Sequence, residues 1–257
     1  MENNSINYNN IAGNYDNRYN DEKNSGIAVE LNDIIKKNKY ARISEIGCGT
    51  GYWLKNINVD KRILAGIDSS IEMLKIAKIK NCRSSFVCAK AEKLPIRNES
   101  LDFIFCVNAI HQFQNKKGFI NSAVSLLKLN GAFAVIGVFP ASNDYKWYLY
   151  DYFPGVFEYD LQRFPSEKEL LDFYTEEKLS GISLKNIYTV SKTYFDSDVF
   201  KDSFLERNGC SQLAMLSDVD YELGIDKIKK HIKEKNAKKE RVIFTTNIQY
   251  KIIIGKK

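Results

Sequence analysis

Five short, nearly continuous apolar runs alternate with segments of helical character in the first 140 residues. They are "ARISEI" (41–46), "RILAGID" (62–68), "SSFVCA" (84–89), "LDFIFCVN" (101–108) and "GAFAVIGVF" (131–139). Strands that are apolar on both faces must be covered on both faces. The pattern therefore predicts a parallel sheet with helices on either side, joined by right-handed crossovers. "ELNDIIKKNKY" (30–40) sets Leu31, Ile34 and Ile35 at helical spacing, "YWLKNI" starts a second helix, and "SSIEMLKIAKI" reads as a third, capped by Ser69 or Ser70. "KKGFINSAVSLLKL" is amphipathic, and Asn130–Gly131 is expected to stop it.

The second half of the chain reads differently. Residues 140–180 are rich in aromatic side chains and end in a helix candidate, "SEKELLDFYTEEKL". Ser183 to Phe195 is strand-like, and Asp218 to Lys235 is a basic amphipathic helix with Tyr221, Ile225, Ile228 and Ile232 on one face. Val242, Phe244, Thr246, Ile248, Tyr250, Ile252 and Ile254 alternate cleanly, which predicts a long antiparallel strand with one face more buried than the other. Together these give an α/β fold with a seven-stranded, mostly parallel sheet, its last strand antiparallel. No Gly/Ser-rich linker divides it, so 1–257 is read as one domain.

Bulk properties narrow the setting. A chain of 257 residues, 44% hydrophobic, can bury one sizeable core. A net charge of +6 is too weak to imply nucleic acid. The basic run 227–241 keeps its isoleucines in helical register and has no interleaved stacking aromatics, so a solvated helix face is favoured over RNA contact. The five cysteines form no CxxC or zinc spacing. They read as reduced thiols, and no metal site is expected. "MENNSINYNN" lacks an apolar h-region, and the longest apolar run, Gly131 to Phe139, is too short to cross a bilayer. The expectation is a cytoplasmic protein without a membrane partner. The oligomeric state is not legible.

The turn "SEIGCGTGYW" (44–53) carries the chemistry. Glycines after a first strand let a ligand approach the backbone at the carboxyl edge of the sheet. The dinucleotide fingerprint GxGxxG is not met. Gly47 and Gly49 fit, but Tyr52 stands at the third position and Gly51 comes one residue early. Glu45 would repel a pyrophosphate and suits an ammonium group instead. No GK[ST] follows, which excludes a P-loop. The ligand wanted is a cationic nucleoside without phosphate, and S-adenosylmethionine meets that description. Asp68 ends the second strand, where an acid can accept both ribose hydroxyls.

At this point the sequence resembles the class I S-adenosylmethionine-dependent methyltransferases, in particular the small-molecule group. The motifs that carry the resemblance are "EIGCGTG", "GIDSSIEML", "AKAEKLP", "SLDFIFCVNAIHQF" and "LLKLNGAFAVIG", in that order. The likeness covers about Tyr8 to Phe139 and implies a Rossmann-like fold with S-adenosyl-L-methionine as cofactor. It implies that Gly47, Gly49 and Gly51 line the methionine and ribose part, with Glu45 shaping the turn near the ammonium. Asp68 would hold the ribose, flanked by Ser69 and Met73. Ala91 would offer its backbone to the adenine edge beside Glu92, and Asn108 a carbonyl near the ammonium. Lys90 is a departure: the family often has an Asp there that takes the adenine amino group, and Lys cannot accept that bond. The N-terminal "NYNNIAGNYDNRYN" resembles the segment that folds over the cofactor, with Tyr15 near the methionine end. Residues 1–40 are accordingly read as a helical cofactor cover, and 140–180 and 196–240 as inserted cap segments.

The implied activity is methyl transfer to an O, N or C nucleophile of a small-molecule acceptor. The competing reading is a cofactor-binding protein that does not methylate, cyclase-like or regulatory, on the same fold. His111, after the fourth strand, is the candidate catalytic residue as base or substrate contact, and a packing role is the alternative. Tyr145 to Phe164 is read either as a lid on the substrate or as the core of the cap.

Overall fold

The computed structural model describes residues 16, 26–57, 62–81, 83–142 and 144–257. Helix α1 (Gly26–Asn38) buries Ile27, Leu31 and Ile35, one apolar stripe at four-residue spacing. β1 (Arg42–Ile46) leads through the glycine turn into the single-turn α2 (Tyr52–Lys55), and β2 (Ile63–Asp68) follows. Ser70 rather than Ser69 caps α3 (Ile71–Lys80), its hydroxyl accepting the Met73 amide at 3.2 Å. β3 (Ser85–Cys88) and β4 (Leu101–Val107) come next, then α4 (Lys116–Leu126) and β5 (Leu127–Gly137).

The expected helix stop at Asn130–Gly131 is corrected here. α4 ends at Leu126, because Leu127 is fully buried and already pairs with Leu101. Asn130, with a left-handed φ of 66°, lies inside the strand near a register shift.

Beyond β5 lie β6 (Lys146–Trp147), α5 (Leu149–Tyr152), α6 (Val156–Arg163), α7 (Glu167–Glu176) and β7 (Ser180–Phe195). They are followed by α8 (Ser211–Ala214), α9 (Asp218–Ala237) and β8 (Ile243–Lys256). One sheet has the order β3-β2-β1-β4-β5-β8-β6, with β7 also on β8. The first five strands are parallel and β8 is antiparallel to β5, as the sequence predicts. Among the described residues the sheet has eight strands where seven were expected, because the two-residue β6 pairs with the outer half of β8, at Thr246 and Asn247. A pair that short leaves no alternation to read.

β8 explains its own pattern. β7 runs along one edge of it, while β5 and then β6 share the other. Phe244, Thr246, Ile248, Tyr250 and Ile252 are buried on the predicted face. From Tyr250 to Ile253 burial becomes continuous, because α7 covers the opposite face there. The Tyr174 hydroxyl on α7 reaches the Ile253 carbonyl at 3.2 Å.

Two apolar clusters fill the two sides of the sheet. One joins α1, Phe103, Phe105 and Ile252 to Trp147, Tyr148, Phe153, Leu213, Ile225 and Ile228. The other joins Ile104, Phe133 and Ile253 to Phe119 and Ile120 of α4 and Leu170 and Tyr174 of α7. Most of the aromatic stretch after β5 is therefore packed in the first cluster. Sheet order reverses between β1 and β4, which opens a crevice at the carboxyl ends of those two strands.

Candidate functional site

The glycine turn is tied to the second strand by its own backbone. The Gly47 and Cys48 amides both donate to the Ile67 carbonyl, at 2.7 and 3.0 Å. Gly47, Gly49 and Gly51 all have left-handed φ values, 72°, 50° and 71°, a region closed to most side chains. At Gly47 there is a second constraint. A Cβ there would stand 2.3 Å from the Cβ of Ala109, so the turn presses directly on the segment that follows β4.

Asp68 links that turn to the next helix. Its Oδ2 accepts the Gly49 amide at 2.8 Å and its Oδ1 the Ser70 amide at 2.9 Å. Burial raises the carboxyl above its ordinary range, and the amides of Ser70, Gly49 and Ser69 pull it back. Each oxygen keeps a second lone pair for a ligand.

A cavity of about 360 Å³ opens at the crevice. Gly47, Gly49, Asp68, Ser69, Met73, Ala91, Glu92 and Asn108 line it, so the structure brings most of the predicted residues together. Lys90 lines it as well. The Glu92 carboxylate accepts the Gln114 amide at 3.0 Å, which fixes the loop forming the opposite wall. Asn108 takes a left-handed φ of 50° and donates its amide to Ile136, ending β4 at the cavity.

Three predicted residues stand apart from the lining. Gly51 caps α2 and packs toward Ala77 and Phe86. Glu45 is buried one residue before Ile46, which does line the cavity. Neither of its oxygens has a hydrogen-bond partner among the described residues. Burial and, after it, the neighbouring Asp68 carboxylate push its pKa well up, and the Leu54 backbone N–H, outside close hydrogen-bond geometry, pulls the other way. A buried carboxylate without a partner suits a cation brought by a ligand. His111 sits in a 3₁₀ turn, Ile110–Gln112, and is buried. Its ring stacks on Phe164 rather than lining the cavity, with centroids 4.0 Å apart. Tyr15 lies outside the described residues.

Sequence reasoning missed several contributors. Ala109, Gln112 and Phe113 line the cavity, although only Asn108 and His111 are singled out from "NAIHQF" by sequence. Asp16 accepts a hydrogen bond from Thr50 in the glycine turn and pairs with Lys80 at 2.6 Å. Asp16 itself therefore lies at the turn, whereas the sequence points to its neighbour Tyr15. Among the described residues, no cluster of His, Cys, Asp or Glu is arranged to hold a metal ion. No described helix is long and apolar enough to cross a membrane.

Comparison with known proteins agrees with this geometry. Residues 44–135 match the family described as "Methyltransferase domain". The chain is similar to an uncharacterized methyltransferase of Schizosaccharomyces pombe, 32% identical over 43% of this chain and 44% of that one. It is also similar to the ubiquinone/menaquinone biosynthesis C-methyltransferase of Campylobacter jejuni, 28% identical over 57% of this chain and 72% of the relative. The chain spans about half the length of most of the curated relatives it matches. Among solved structures, a putative methyltransferase from an antibiotic biosynthesis pathway of Anabaena variabilis shares the fold. Its TM-score is 0.65 at 18% identity, over 88% of this chain and 96% of the other. With the glycine turn, Asp68 and the crevice in place, residues 44–135 carry a methyltransferase domain, and the chain's fold and crevice are similar to those of the class I S-adenosylmethionine-dependent methyltransferases.

Proposed function

We propose that the chain transfers a methyl group from S-adenosylmethionine to an O, N or C nucleophile of a small molecule. The observation that carries the reading is the pairing of Asp68 at the cavity with an unpartnered, buried Glu45 beneath the turn. That pairing suits a ribose and a cation and gives a phosphate no favourable contact. In this reading Asp68 holds the ribose hydroxyls, and Gly47, Gly49 and Gly51 let the backbone close on the ligand. Ser69 and Met73 flank the ribose. Ala91 and Glu92 form the adenine end, and the Asn108 carbonyl and Glu45 form the cationic end. Tyr15 belongs to the covering segment, which Asp16 supports through its contacts with Thr50 and Lys80.

When bound, S-adenosylmethionine supplies an electrophilic methyl group on a sulfonium. The protein's own contribution is alignment in a dry cavity, and such positioning can supply roughly 7–11 kcal/mol. The stacking of His111 on Phe164 supports a positioning role for His111, joining the cofactor loop to the aromatic cap. Lys90 gives the adenine amino group no side-chain acceptor where an Asp would, which leaves that bond to a backbone carbonyl or to the Glu92 carboxylate. The reading places the work in the cytoplasm, without a membrane or nucleic-acid partner.

The test is incubation with isotopically labelled S-adenosylmethionine and a panel of small-molecule acceptors. S-adenosylhomocysteine and a methylated acceptor should appear together in mass spectra. Tight cofactor binding with no S-adenosylhomocysteine formed on any acceptor would favour the non-methylating alternative.

A further inference from the structure

The cap buries an ion pair that the methyl-transfer reading does not use. Asp160 on α6 is fully buried and its carboxylate accepts three hydrogen bonds. Arg163 Nε donates to Oδ1 at 2.8 Å, while the Tyr150 hydroxyl and Gln212 Nε2 donate to Oδ2 at 2.7 and 2.8 Å. Arg163 is 8% exposed and is held in turn. Its Nη2 donates to Ser211 at 2.8 Å, and its guanidinium lies 4.9 Å from the Phe164 ring centre and 5.5 Å from that of Tyr159. The Nε and Nη2 edge faces Asp160 and Ser211. Nη1, pointing the other way, is buried and has no partner among the described residues.

This arrangement is costly as packing. Replacing a buried ion pair by apolar residues of similar volume is often neutral or stabilising. A buried donor left unmade costs about 1–3 kcal/mol, and more on a charged group. The Asp160 charge is spread over three donors on one side, so the Nη1 end is the electropositive end of the pair.

The position of this end matters. The Phe164 ring beside Arg163 is the ring that stacks on His111, and the next residue, Gln112, lines the cofactor cavity. Gln112 Nε2 is a second buried donor without a partner. Trp147 Nε1 is a third, packed edge-on against the Tyr150 that holds Asp160. All three groups can only donate.

We infer that the methyl acceptor carries a carboxylate on an apolar or aromatic body, with Arg163 Nη1 holding the carboxylate and Gln112 Nε2 donating to a second oxygen of the acceptor. The inference rests on the methyl-transfer reading for the role of the bound acid, but the binding site can be tested apart from turnover. Charge-assisted hydrogen bonds to carboxylate are roughly twice as strong as neutral ones. A carboxamide of the same shape should therefore bind worse.

The experiment is calorimetric titration of benzoate, 3-phenylpropionate and octanoate, each beside its carboxamide, with and without saturating S-adenosylhomocysteine. At least one acid should bind tenfold or more tightly than its amide. Arg163→Lys keeps the charge beside Asp160 and removes Nη1. The double variant Asp160→Asn/Arg163→Gln removes both charges together and guards against misfolding from an unpaired Asp160. Both variants should lose the acid–amide difference while binding S-adenosylhomocysteine as the wild type does. Equal binding of acids and amides, no binding of any acid, or a difference that survives in both variants would overturn the inference. Failure of S-adenosylhomocysteine to bind the wild type would count against the methyl-transfer reading instead, and the acid–amide comparison without it would still stand.

Discussion

The imidazole of His111 and the ring of Phe164 are stacked 4.0 Å apart and 14° from parallel, and this contact joins the loop after β4 to the end of α6. A general base has to reach the proton it removes within about 2.6–3.2 Å or through one water. A ring pressed on another ring is better placed to fix the distance between cap and cofactor loop. We predict that His111→Phe, which keeps the stack, retains cofactor affinity and the shape of the pH–rate profile. His111→Ala should lower turnover and raise KM, again without removing an ionisation from the profile. Loss of one limb of that profile in His111→Phe would restore the base role.

The glycines of the turn are not equivalent. At Gly47 a methyl group meets Ala109 at 2.3 Å, whereas at Gly51 the nearest atoms, on Ala77 and Phe86, lie 3.2 and 3.3 Å away. Both carry the left-handed strain, roughly 1–2 kcal/mol for a side chain, and only Gly47 adds a severe overlap, about 1–3 kcal/mol more. Urea denaturation without ligand should show Gly47→Ala destabilised by roughly 3 kcal/mol and Gly51→Ala by about half as much. Equal losses at both positions would contradict the packing described at Ala109.

Glu45 makes the ligand-free protein sensitive to pH. Its carboxyl is raised in the folded state by burial and by Asp68. The folded chain then binds more protons than the unfolded chain between the ordinary carboxylate value, about 4.3, and the raised one. Stability from this group is fully present below the ordinary value and is lost as pH rises through the raised one. Asp68 is raised too and acts in the same sense. Melting curves of the ligand-free protein between pH 5 and 8 should show Tm falling with pH, and Glu45→Gln should flatten that slope. The same variant should weaken S-adenosylhomocysteine binding roughly tenfold or more, about 1.4 kcal/mol. A slope unchanged by the substitution would show that Glu45 is not its source.

What the sequence conveyed depended on how local each signal was. β1, β2, β4, β5 and the long alternation of β8 were legible, because each strand's burial is written in its own residues, whereas β3, legible as a strand, lies at the sheet edge with most of its side chains exposed instead of covered. Asp68 was legible because a strand ending in an acid beside a glycine turn is a local arrangement. β6 was not, since two residues that pair only because β8 extends past β5 carry no period. Asn130–Gly131 misled, because Leu127 is drawn into the sheet by Leu101, a partner 26 residues away. The Asp160–Arg163 pair was hidden for a related reason. Its meaning comes from Tyr150, Ser211 and Gln212, which only the folded cap brings together. Phe164 likewise reads as one aromatic among many until it is found on His111.

The central claim is that the Gly47–Gly51 turn and Asp68 form the seat of S-adenosylmethionine. The most direct measurement is calorimetric titration of S-adenosylhomocysteine, and separately of NADH, into the wild type and Asp68→Asn. Because Asp68 accepts amides on both oxygens, an Asn there must turn its amino group toward one of them. The account predicts one site with micromolar affinity for S-adenosylhomocysteine, weakened at least tenfold in Asp68→Asn, and no binding of NADH. S-adenosylhomocysteine binding indifferent to Asp68, or NADH binding that S-adenosylhomocysteine does not displace, would contradict it.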